Sequence, residues 1–218
     1  MRLTTVKRLM AAVVFSASVH AQASVVNDAT GDYLAGYAGS KAGDLDVVSA
    51  SVTYNPLTDI FHFESTFAAA LGTSPGGLYV LGFDRGAGTG RFAASGLPNV
   101  LFDSVVVINA NGSGAVNLLV PQPVVSTPFA AGTAVIDGAK LSLDILGSWL
   151  PSAGFSKSQY TWNLWPRDGS QPAGFGQISD FAPDSVNAAV QVVPLPGAVW
   201  LFGSALAGFV AARRRAFC

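Results

Sequence analysis

Hydrophobic and polar residues alternate with a period of two along several stretches of this chain. Val48, Ala50, Val52 and Tyr54 point one way, and Ser49, Ser51 and Thr53 the other. Leu141, Leu143 and Ile145 alternate with Ser142 and Asp144, and Tyr160, Trp162 and Leu164 with Thr161 and Asn163. Residues 60–67, 78–83, 101–109 and 115–120 read as further strands. Turn signals separate them: Asn55-Pro56, Gly76-Gly77, glycines 86, 88 and 90, Asn111-Gly112 and Asp137-Gly138. The Asn-Gly and Asp-Gly pairs suit two-residue hairpin turns. Short strands, regular turns and no long amphipathic helix predict a mainly-β fold, an antiparallel β-sandwich over residues 24–180. A short helical turn is expected near 146–150, stopped by Pro151, and residues 181–193 read as a spacer.

The two ends follow a different pattern. Arg2, Lys7 and Arg8 precede an apolar run over 9–19, and Ala21-Gln22-Ala23 supplies small residues two apart. That order is a signal peptide of residues 1–23, cut by signal peptidase before Ser24. At the other end Val193-Pro194-Leu195-Pro196-Gly197 leads into fifteen uncharged residues, 198–212, and then Arg213-Arg214-Arg215. As a helix this run spans roughly 22 Å at about 1.5 Å per residue. A bilayer core is about 30 Å thick, so the run is a short transmembrane helix that depends on its flanks. The arginines act as a stop-transfer cluster on the cytoplasmic side, leaving the domain outside.

Residues 194–218, with Val193 before them, resemble the PEP-CTERM sorting signal: a Val-Pro-x-Pro motif, an apolar helix containing Trp-Leu-Phe-Gly-Ser, and a basic terminus. Here Leu195 stands where the founding motif has Glu. The resemblance implies processing by exosortase, a membrane cysteine transpeptidase of exopolysaccharide-producing Gram-negative bacteria. It also implies a membrane-anchored, cell-surface or extracellular destination. The region between the ends resembles a recurring family of exported bacterial proteins of unknown activity. The phrases that carry this are residues 43–47, 75–80, 85–89, 98–103, 160–167 and 177–183.

Charge narrows the partners. Residues 24–190 hold all 13 acidic residues against 6 basic ones, a net of −7. Such a surface repels phosphate backbones, so nucleic acid is not an expected partner, while cations are attracted. The only cysteine is Cys218, which leaves the domain no disulfide, zinc-thiolate site or thiol nucleophile.

Candidate chemistry is sparse, and no catalytic set is expected. After signal removal the only histidine is His62, two residues from Glu64 on one strand face, which reads as an exposed polar pair. Arg85 and Arg91 flank Gly86-Ala87-Gly88-Thr89-Gly90, which lacks the lysine and context of a phosphate loop and reads as a mobile hairpin or loop. Asp28, Asp32, Asp44 and Asp46 cluster early in the mature chain and offer the oxygen ligands calcium takes. Their spacing is not that of an EF-hand, and the preference of Asp for turns and surfaces, which makes them solvated loop carboxylates, is the simpler reading. Among Trp149, Tyr160, Trp162 and Trp165, Trp165 before Pro166 is the aromatic expected to be partly exposed and able to stack on a sugar. The expectation is therefore an exported, non-enzymatic surface protein, with an exopolysaccharide or biofilm matrix as its setting. A carbohydrate- or small-ligand-binding module and a polysaccharide hydrolase are the alternatives.

Overall fold

Alternating strands bury one face, and β3 (Ile60–Phe67) shows this directly: Phe61, Phe63, Ser65 and Phe67 are buried while His62, Glu64 and Thr66 face outward. The structure, a computed structural model, describes residues 24–193. Within them β1 (Val26–Asn27), β2 (Val47–Asn55), β3, β4 (Gly77–Asp84), β5 (Ser104–Asn109) and β6 (Gly114–Leu118) come first. Then follow β7 (Val125–Phe129), β8 (Val135–Asp137), β9 (Lys140–Leu146), β10 (Thr161–Asp168), β11 (Ala188–Ala189) and β12 (Gln191–Val192).

Two six-stranded sheets result. The first runs β1-β2-β3-β9-β8, with β12 also on β2, and the second runs β11-β10-β4-β5-β6-β7. All pairings are antiparallel except β12 on β2. The inner faces meet in one core. Phe61 of the first sheet packs on Phe83 of the second at 5.8 Å between ring centroids, and Phe67 on Tyr79 at 5.0 Å. Each such fully buried aromatic contributes roughly 1.5–3 kcal/mol relative to leaving it in water.

The predicted strands recur with adjusted ends. Val48, expected to share a face with Ala50, is only half-buried, whereas Val47 is fully buried. The register of β2 on β3 slips between Val47 and Ser49, and such a bulge moves the side chains before it to the other face. At the tip of β8–β9 the two-residue turn is Gly138-Ala139, with Gly138 at φ 58°, one residue later than the Asp-Gly pair suggested. The expected helical turn is a single 3₁₀ turn over Gly147–Trp149.

The second sheet is also covered on its outer face. Val80, Val100, Phe102, Trp165, Ile178 and Phe181 form a second, smaller core under the chain that links β4 to β5 and the chain after β10. Strands buried on both faces read as continuous apolar runs, which explains Leu78-Tyr79-Val80-Leu81, while in β10 the run Trp162-Leu164-Trp165 is interrupted by buried Asn163, whose amide donates to the Pro183 and Val186 carbonyls. Gly82 belongs to this packing, because a Cβ there would run into the Trp165 ring.

The expected spacer, 181–193, is folded into the domain. Ala182 bridges Leu164, β11 pairs with the start of β10, and β12 lies on β2. Val26 faces Ala50 and Gln191 faces Thr53, so the first and last strands lie end to end along one edge of β2. The predicted signal helix and the predicted membrane helix over 198–212 lie outside the described residues. Among the described residues no helix is long and apolar enough to cross a membrane.

Candidate metal centre

Loop residues 28–46 carry three of the four aspartates singled out in the sequence to one place. Asp28, Asp32 and Asp184 each present a carboxylate oxygen within 4.8 Å of the others, as do Asp32, Asp46 and Asp180, with Asp32 common to both groups. Asp46 and Asp180 are each only 2% exposed, Asp28 is half-buried, and Asp32 and Asp184 are exposed. Asp44 departs from expectation. It is buried elsewhere and accepts hydrogen bonds from the Ser74 N–H and hydroxyl, both at 2.7 Å. Neighbours two apart can diverge in this way because the chain turns through 43–46 before β2 begins, with Asp46 N–H donating to the Gly43 carbonyl.

The backbone fixes several of these carboxylates. Gly31 N–H donates to Asp46 Oδ2 at 2.8 Å, Val47 N–H to Asp180 Oδ2 at 2.8 Å, and Phe181 N–H to Asp180 Oδ1 at 2.7 Å. The Ser179 hydroxyl donates to the Leu45 carbonyl at 2.7 Å, which locks the 178–181 segment against the entry to β2. Two oxygens are left out: Asp46 Oδ1 and Asp28 Oδ2 are sealed from solvent and accept no hydrogen bond. Ion pairs among the described residues join His62 to Glu64 and Asp144, Arg85 to Asp103, and Lys157 to Asp59, and none reaches the five aspartates. Burial, reinforced by the charges of Asp32 and Asp184, raises Asp28 to about 7. Burial also raises Asp180 to about 8, against the hydrogen bond from Val47, and it raises Asp46. Asp180 and Asp184 were not among the sequence candidates. Nothing local marks them, since they sit about 150 residues from Asp28 and meet it only through the fold.

The other candidates fall outside this centre. His62 lies on the outer face of β3, its Nδ1 2.6 Å from Asp144 of β9 and its Nε2 3.3 Å from Glu64. Burial opposes its charge, but these two carboxylates outweigh that and raise its pKa. The glycine loop is not loose. Gly86 and Gly88 N–H donate to Asp84 Oδ1, and Ala87 N–H donates to Asp103 Oδ2. Arg85, 1% exposed, is committed to Asp103 and to the Pro151 and Val120 carbonyls.

Trp165 contradicts its expected exposure. It is 2% exposed, because the 3₁₀ turn at Phe175–Gln177 and the loop bearing Phe92 close over it. Tyr160 and Trp162 are also buried, and Trp149 stacks on Phe129. Beside Trp165 an apolar groove of about 320 Å³ runs over Val80, Val105 and Val107, with Arg91 and Arg167 at its sides.

Of the terminal sites, Ser24 opens the described chain and is exposed, and Val193 closes it by donating to the Tyr54 carbonyl at 2.9 Å. Ala21, Ala23, Pro194, Leu195, Pro196, Arg213, Arg214 and Arg215 lie outside the described residues.

A known sorting signal is found at the C-terminal end of the chain. The family model of the PEP-CTERM protein-sorting motif matches residues 192–215. The chain thus carries the signal of a protein exported and sorted to the cell surface, with exosortase as the implied processing enzyme. No curated protein and no solved structure matches the chain.

Proposed function

We propose that this is a non-enzymatic surface protein in which a two-sheet β-sandwich is the displayed module and the C-terminal motif is its means of sorting and membrane retention. A matrix of exopolysaccharide is its setting. One observation supports this reading above the others: the match to the sorting motif, residues 192–215, starts in sequence where the last described strand, β12 (Gln191–Val192), ends. In this reading residues 198–212 hold the chain in the membrane, with Arg213, Arg214 and Arg215 on the cytoplasmic side.

The alternative of a sugar-binding face has less support. Tyr160, Trp162 and Trp165, which would have to stack on a saccharide, are occupied in the two cores. The hydrolase alternative would set two carboxylates across an open cleft at about 5–10 Å. Each aspartate triad brings one oxygen per residue within 4.8 Å, closer than that spacing, and the groove beside Trp165 has no carboxylate in its lining; Glu64 and Asp137 do both line a hollow of about 300 Å³ on the β3–β9–β8 sheet.

The test is fractionation and intact-mass analysis in the native host. Replacing Pro194 and Pro196 together by alanine is expected to keep the protein at the membrane with its tail attached, because proline holds the preceding residue extended for a protease to engage. Replacing the three arginines by alanine is expected to loosen retention. Loss of the tail from the proline variant at the wild-type rate would refute sorting through this motif.

A further inference from the structure

We propose that Asp32, Asp46 and Asp180, with Asp28 and Asp184 beside them, form a calcium site that fastens the first loop of the domain to the segment leading out of it. The inference is independent of how the C-terminal tail is processed.

Carboxylates in proximity do not by themselves make a site. The additional observation is Asp46. It is buried, one oxygen is held in place by Gly31 N–H, and the other, Oδ1, is buried without a hydrogen bond. Burying such an oxygen without a donor is costly, and native folds rarely leave one so. Asp28 Oδ2 also accepts no hydrogen bond. Asp46 belongs to the triad with Asp32 and Asp180, and Asp28 to the triad with Asp32 and Asp184; within each triad one oxygen per residue lies within 4.8 Å of the others, a spacing that suits ligands of one ion, and Asp32 links the two. The ammonium nearest in sequence, Lys41, lies over the Tyr33 ring at 5.5 Å from its centroid and pairs with none of the five. A bound cation satisfies the orphaned oxygens and cancels the mutual repulsion in one step.

The donor set selects the ion. All five side chains offer oxygen, and no histidine or cysteine is among them. Oxygen-only sites suit hard cations. Calcium accepts six to eight oxygens in irregular geometry, whereas magnesium demands a near-ideal octahedron and keeps its waters. Ligands drawn from a loop and from a distant segment, with two exposed members leaving room for water, fit calcium better.

The site joins distant parts of the sequence. Asp28 and Asp32 follow β1, Asp46 precedes β2, and Asp180 and Asp184 precede β11 and β12. Calcium therefore clamps the two ends of the domain where they share the edge of β2. Extracellular calcium modules bind with Kd of about 10⁻⁴–10⁻³ M, and a site partly open to solvent belongs to that class. The clamp would thus fill after export rather than before it.

The experiment uses the full chain in detergent, stripped with EDTA and titrated with CaCl₂ by calorimetry, with thermal unfolding followed in parallel. Binding in the stated range and a Tm that climbs with calcium are expected, with magnesium weaker. Asp32→Asn and Asp184→Asn change exposed residues and leave folding intact, so they test ligation alone; each is expected to weaken binding roughly tenfold or more, and Asp46→Asn to abolish it. Asp137→Asn, in the β8–β9 hairpin, is expected to change nothing. No binding at roughly ten times the upper end of that range, or binding that Asp32→Asn and Asp184→Asn leave unchanged, would overturn the assignment.

Discussion

Removing the carboxylate of Asp103 is a severe single perturbation of this fold. Asp103 is fully buried and takes Arg85 Nε at 2.7 Å, Arg85 N–H at 3.0 Å and Ala87 N–H at 3.0 Å. Arg85 in turn donates to the carbonyls of Pro151 at 2.6 Å and Val120 at 2.7 Å. The pair thus ties the end of β4, the start of β5 and two loops together. Asp103→Leu leaves a guanidinium charge without a counterion in a dry site, and two backbone N–H groups without acceptors. Breaking a buried pair from one side costs about 3–5 kcal/mol. Total stability for a domain is about 5–15 kcal/mol, so this is a large share of it. At about 2–4 °C per kcal/mol for a chain of this size, Tm falls by roughly 6–20 °C. The double variant Arg85→Met/Asp103→Leu removes both charges and is expected to be less destabilised than Asp103→Leu, because no unpaired ion remains. Thermal and urea unfolding of the three proteins by circular dichroism measures this. A Tm within about 2 °C of wild type for Asp103→Leu, set against the per-kcal/mol scale above, would refute the reasoning. So would a double variant as unstable as Asp103→Leu alone.

Three further outcomes follow from the structure. Gly82→Val places a side chain where the Trp165 ring lies, so it is expected to cost about 1–3 kcal/mol through overpacking, read as a lower urea midpoint with unchanged slope. Truncation after residue 180 removes β11, β12, Asp184 and the cover on β10, and is expected to abolish cooperative unfolding, whereas truncation after 193 preserves it; equal behaviour of the two would return 181–193 to the role of a spacer. In EDTA, stability is expected to fall as pH rises from 3.8 towards 8, because folded Asp28 (about 7) and Asp180 (about 8), facing Asp32, Asp46, Asp184 and Tyr33, hold protons that the unfolded chain has already released at their ordinary 3.8. The stabilisation is whole below 3.8 and gone above 8, His62 with its raised pKa acts in the same sense above 6.5, and saturating calcium flattens the aspartate part of the slope; a Tm in EDTA that rose over this range would contradict it.

The features that depend on neighbours in the chain were legible from the sequence alone. Alternation in 60–67 gave β3 with its ends and its buried face, since a strand's side-chain period is fixed by backbone geometry. The PEP-CTERM motif was equally legible, because a sorting signal is read by other proteins as a linear segment. Tertiary structure decided what depends on which surfaces meet. Trp165 sits in a strand whose second face is covered by chain from elsewhere, so its exposure was not a property of its own segment. Asp44 and Asp46 look alike in sequence, yet one is satisfied by Ser74 and the other keeps an orphaned oxygen beside Asp180. The residues 181–193 carry few strand signals because pairs such as Ala188 on Trp162 and Gln191 on Thr53 take their stability from a preformed edge rather than from their own composition. Early aspartates suggested a cation, but the acidic centre exists only because folding brings Asp180 and Asp184 back to the loop that follows β1.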